Sequence, residues 1–180
     1  MIPKKGLSLA LLAILLTPAL ARAEEAVYLL RTLEDQSVAT DCPAGDNVRL
    51  GALLYAPRTR ESDGLVMKDV VQPIGTAVGC GKLLTYTPFD PQVQSPFSMR
   101  FDLPSGTITA SGTCTITNLS FPIVGVPAPL LLVGCTLNVD PDPASGVVRG
   151  EATSSSVFVV RPLPGLGTGS FWTLHLYLAE

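Results

Sequence analysis

Histidine is nearly missing from this chain: His175 is the only one in 180 residues. A Ser-His-Asp relay is therefore possible only around that residue. The sequence also lacks the G-x-S-x-G elbow, the H-E-x-x-H zinc motif and the G-x-x-x-x-G-K-[ST] phosphate loop, which removes the common hydrolase and nucleotide-binding mechanisms. The one glycine-rich stretch, Gly165-Leu166-Gly167-Thr168-Gly169, follows Pro162 and Pro164 and leads into a strand pattern. It reads as a turn, without the helix N-terminus that holds a phosphate.

Basic residues are scarce as well. Twelve Lys and Arg stand against fifteen Asp and Glu, a formal charge of −3, and no basic cluster occurs. Nucleic acid is not an expected partner, since that affinity rests on cations neutralising phosphates. No apolar run reaches the roughly 20 residues of a membrane-spanning helix. The longest, over residues 7–16, follows Lys4 and Lys5 and precedes Ala21-Arg22-Ala23. Positive start, short apolar stretch and small-x-small site together read as a signal peptide over residues 1–23, cleaved to leave a mature chain from Glu24 with no membrane span. The leader contains no acid, so its loss makes the protein more acidic. A secreted or periplasmic location follows. Residues 24–180 are enough for one domain with its own core and too few for two.

Four cysteines, Cys42, Cys80, Cys114 and Cys135, all lie in the mature part. None forms a C-x-x-C pair and His175 is remote from them, so zinc spacing is absent and no metal or cofactor is expected. In an oxidising compartment an even count points to two disulfides.

The apolar residues repeat mostly with period two, in short runs bounded by Gly, Pro, Asp and Ser, which is the pattern of strands and turns. Phe97, Met99, Phe101 and Leu103 alternate with Ser98, Arg100 and Asp102, and Pro104-Ser105-Gly106 then supplies a turn. The next strand sets a hydroxyl face, Thr107 to Thr115, against a small apolar face that includes Cys114. After a proline-rich connection over residues 121–129, Leu131, Val133, Cys135, Leu137 and Val139 form one face of a third strand. Sequential antiparallel strands are usually neighbours, and a bridge needs Cα atoms within about 7 Å. Cys114 is therefore expected to pair with Cys135, and Cys42 with Cys80. Further strands are expected at 26–31, 48–55, 65–71, 76–86, 147–160 and 170–178. The fold class that follows is all-β: a small antiparallel barrel of about eight strands, stapled by disulfides.

Two sets of side chains are candidates for a site. On the last strand, Trp172, Leu174, Leu176 and Leu178 share one face, and Phe171, Thr173, His175 and Tyr177 the other. In one reading His175 and Tyr177 line an apolar pocket with Trp172 and Phe101 and orient a ligand. In the other they lie on a half-exposed outer face. The second set, Arg100 with Asp102 and Arg149 with Glu151, projects at i, i+2 from two strands. Such charges mark a site if turned into a barrel and are solubilising if turned outward. The alternation around Arg100 favours the outward placement. The sequon Asn118-Leu119-Ser120 can carry a glycan only in a eukaryotic host.

The order of glycines and strands resembles the dirigent and allene oxide cyclase barrel superfamily. The residues concerned are Leu50-Gly51, the strand with Gly75, Gly79 and Gly81, the alternating strand 97–103, and Ser105-Gly106-Thr107-Ile108-Thr109-Ala110-Ser111-Gly112. Gly146 to Ala152 and the aromatic strand 171–178 continue the likeness. It implies an eight-stranded antiparallel barrel, often a trimer, holding an apolar molecule whose cyclisation or coupling it guides. The disulfides and the proline-rich insertion depart from the family, and its polar catalytic residues map to no position here. Three classes of function remain: an exported barrel that binds a small apolar molecule, a structural envelope protein, or an interaction module acting through its proline-rich loops, with a homo-oligomer open in each. Burial of the hydroxyl face 107–115 would favour the first, and its exposure the others.

Overall fold

The computed structural model describes residues 24–56, 58–59, 66–67, 72–82, 93–119, 130–159 and 169–179. The expected leader, the proline-rich segment 121–129, residues 83–86 and most of the expected strand 65–71 lie outside them. Among the described residues there are ten strands: β1 (Glu24–Glu34), β2 (Val48–Tyr55), β3 (Arg58–Thr59), β4 (Val66–Met67), β5 (Gly75–Gly81), β6 (Val93–Leu103), β7 (Gly106–Leu119), β8 (Leu130–Val139), β9 (Val147–Val159) and β10 (Gly169–Leu178). Eight of them close into an antiparallel barrel in the order β1-β10-β9-β8-β7-β6-β5-β2, and β3 and β4 form a separate two-stranded piece. Among the described residues no helix is long and apolar enough to cross a membrane.

Alternation decides what faces inward. Ile108, Ala110 and Cys114 of β7 are buried, while Thr107, Thr109, Ser111 and Thr113 are exposed, so the hydroxyl face is the outer wall. Arg100 and Asp102 likewise point outward from β6, whose Met99 and Phe101 enter the core. The core occupies one half of the barrel, where Leu54, Phe101, Leu137, Leu174 and Leu176 are the largest fully buried side chains. An eight-stranded barrel is just wide enough to be filled by side chains or to hold one small ligand. This one does the first in its lower half. The turn Pro104-Ser105 closes β6 to β7 at that end, with Gly106 at φ 137°, a value L residues adopt only with strain.

Both disulfides form as the strand pattern requires. Cys114 and Cys135 are directly opposite in the β7–β8 ladder with Cα atoms 4.0 Å apart, and both side chains face inward. Cys80 points outward from β5 and bonds Cys42 at a Cα separation of 5.5 Å. This second bridge pins the connection 35–47 down the outside of the barrel. Two further contacts hold the same segment: Asp35 N donates to Gly51 O at 2.8 Å, and Arg100 donates from Nη1 to both carboxylate oxygens of Asp41 at 3.0 and 3.1 Å. Two disulfides suit an oxidising environment.

Arg100 also donates from Nε to Asp102 at 3.1 Å, so one guanidinium serves two carboxylates. The hydrogen bonds from Arg100 hold the Asp41 carboxyl below the usual aspartate range, with a backbone hydrogen bond and the guanidinium charge adding to the effect. A depressed carboxylate contributes stability that is complete above its unfolded value and is lost as pH falls through the folded one. The contact is solvent-screened and its contribution small. An NMR titration of the Asp41 carboxyl should give a midpoint below that of a free aspartate, and Arg100→Ala should move it back toward the ordinary value. An unshifted midpoint in the unmodified protein would show that the pair is not formed.

Candidate ligand cavity

The upper half of the barrel is open. A cavity of about 250 Å³ lies at the end where β1, β5, β7 and β9 finish and β2, β6, β8 and β10 begin. One wall is formed by β2, β5 and β6, through Leu50, Ala52, Ala77, Phe97 and Met99 together with the backbones of Gly79 and Gly81. The two glycines face the barrel interior opposite Met99 and Phe97. A Cβ at Gly79 would lie 2.8 Å from the Phe97 ring, and one at Gly81 2.5 Å from it. Glycine here lets the ring lie flat against the sheet and leaves the space beside it empty. Neither glycine interrupts the strand, since their neighbours Val78 and Cys80 keep regular register with Arg100 and Ser98.

A second patch of wall is the inward-facing disulfide of Cys114 and Cys135, flanked by Ile116 and Val133. The third wall, on β1, β10 and β9, is different in kind. Thr32, Ser170 and Ser156 are consecutive partners across these three strands, all three buried and all on the cavity. Ser156 donates from Oγ to Ser170 Oγ at 2.7 Å, and Thr32 Oγ1 to the Ser170 carbonyl at 3.4 Å. Among the described residues, charge on the cavity is confined to the exposed side chains Glu34 and Lys82 at the mouth.

Of the four residues expected at a pocket, Trp172 lines the cavity. Phe101 is fully buried in the packed core, where its ring meets the edge of Trp172 at a centroid distance of 5.4 Å. His175 and Tyr177 sit on the outer face, which corrects their reading as pocket residues. The physical reason is the period of two: Trp172, Leu174 and Leu176 take the inward positions of β10, so the residues between them must face out. There His175 Nε2 contacts Glu25 Oε1 and its ring lies against Tyr177. Arg149 stacks over the Tyr177 ring at 4.2 Å. This outer cluster is tied together by its own partners and has no access to the cavity.

The serine wall was not singled out from sequence. Its signal was present in the run Ser154-Ser155-Ser156 within β9, but without a register nothing there aligns Ser156 with Ser170 and Thr32. Comparison with protein-family models, with curated proteins and with solved structures gives no match for this chain.

Proposed function

We propose that this protein is an exported barrel that binds a small apolar molecule in its open half. The observation that carries the reading is the cavity itself, apolar over most of its lining and floored by a fully packed core. A cavity of about 150 Å³ lined by apolar side chains accepts benzene, so 250 Å³ suits one ring with a short substituent. The leader pattern and the two disulfides support export to an oxidising compartment. The eight-stranded antiparallel barrel agrees with the architecture that the likeness to dirigent and allene oxide cyclase proteins implies. Among the described residues the cavity wall is lined mainly by apolar and hydroxyl side chains, which suits binding, with any guidance of a cyclisation or coupling coming from shape.

The interaction reading draws support from the exposed hydroxyl face of β7 and from Val27, Leu29 and Phe171, which are 63%, 43% and 44% exposed on one outer face of β1 and β10. The two readings differ in what native mass spectrometry should show for protein purified from its host's exported fraction. A small molecule lost on unfolding is the expected result. An empty protein in which Trp172, the only tryptophan, gives the same indole NMR signal with and without small hydrophobic probes would overturn the binding reading and leave the outer surface as the functional one. Gly81→Ala is the matching control, because it drives the Phe97 ring toward the cavity and should reduce probe binding about tenfold or more.

A further inference from the structure

The serine wall has more hydroxyl protons than acceptors. Two hydroxyls joined by one hydrogen bond hold two protons and use one, so the Ser156–Ser170 pair keeps a proton with no acceptor among the described residues. One row deeper, Ser154 stands between Trp172 and Cys135 in the ladder, on the inward face with both. Its Oγ is buried and makes no hydrogen bond. Buried polar groups are normally satisfied, and an orphan hydroxyl calls for an explanation. Of these hydroxyls, Ser156 and Ser170 line the cavity and hold the unused donor at one side of it, with Ser154 set back behind the wall, while the remaining lining is mainly apolar apart from the buried Ser95 of β6.

We infer that the natural ligand is an uncharged, ring-sized hydrophobe carrying one hydrogen-bond-accepting oxygen, a carbonyl in chemical class, which lies against Ser156 and Ser170. The inference rests on the reading of the cavity as a ligand site. A carboxylate does not fit, because among the described residues the only cation on the cavity is the exposed Lys82 at its mouth, and burying an unpaired charge against hydroxyls alone is costly. A pure hydrocarbon would leave the donor unmet. A carbonyl satisfies it while its apolar body covers Phe97, Met99 and the disulfide.

The test uses three molecules of nearly equal shape: propylcyclohexane, 1-cyclohexyl-1-propanone and 1-cyclohexyl-1-propanol. Each is titrated into the disulfide-bonded protein, with the single Trp172 indole cross-peak as readout. The ketone should bind about tenfold tighter than the hydrocarbon, the size of one well-made hydrogen bond. In the double variant Ser156→Ala, Ser170→Ala, the ketone-to-hydrocarbon affinity ratio should fall toward one. A general loss of packing would weaken both probes and leave the ratio in place, and that result would overturn the inference. Equal affinity for ketone and hydrocarbon in the unmodified protein, or tighter binding of the alcohol, would also overturn it while the cavity reading stands. Failure of all three probes to move the indole signal would bring down both.

Discussion

Phe101→Ala should destabilise the barrel by about 3–5 kcal/mol, the usual cost of removing a buried aromatic side chain from a packed core. Phe101 is fully buried, packs edge-on to Trp172 and belongs to the cluster that floors the cavity. Truncation removes its own burial and the support under the indole, and the rigid closed wall leaves little means of collapsing into the gap. For a domain of this length each kcal/mol lowers Tm by about 2–4 °C, so a fall of roughly 6–20 °C is expected in a thermal melt. The new space adjoins the cavity from below. Bulkier hydrophobic probes that the unmodified protein excludes should therefore gain affinity in the variant. A drop of less than about 1 kcal/mol would show that the lower half of the barrel is not packed around this ring.

Cys114→Ser should cost about 3 kcal/mol on the chain-entropy account of a bridge closing a loop of this size, here a sequence separation of 21. Because the bond joins directly opposed residues of neighbouring strands, its loss leaves the β7–β8 ladder in place, and the variant should still fold. One thiol per molecule should become reactive on unfolding, and peptide mapping should place it at Cys135. Labelled Cys42 or Cys80 would contradict the pairing. The exchange also puts a hydroxyl on the cavity wall in place of sulfur, so affinity for a hydrocarbon probe should fall together with stability.

Period-two patterning made most of the fold legible. The strands at 48–55, 97–103 and 131–139 could be read because one face of each is packed, and packing demands alternating apolar residues. The same alternation predicted that Arg100 and Asp102 face out, and put Cys114 and Cys135 on inward faces of successive strands. It could not say which face of β10 was inside when both carry large side chains. Trp172, Leu174 and Leu176 went in, and His175 and Tyr177 went out to meet Glu25 and Arg149.

Local sequence therefore determined the strands, the turns, the disulfide pairing and the absence of the common catalytic motifs, because those depend on neighbours along the chain. Only the tertiary structure decided where empty space lies. Cavity volume depends on which side chains from eight strands meet at one level of the barrel. At the lower level they are Phe101, Leu137 and Leu174; at the upper they are Gly79, Gly81, Ser156 and Ser170, too small to fill it. Asp41 reaching Arg100 across 59 positions, and Thr32 joining Ser170 across 138, are products of closure. No pattern local to the chain encodes them, since barrel register is set by the sum of all its pairings.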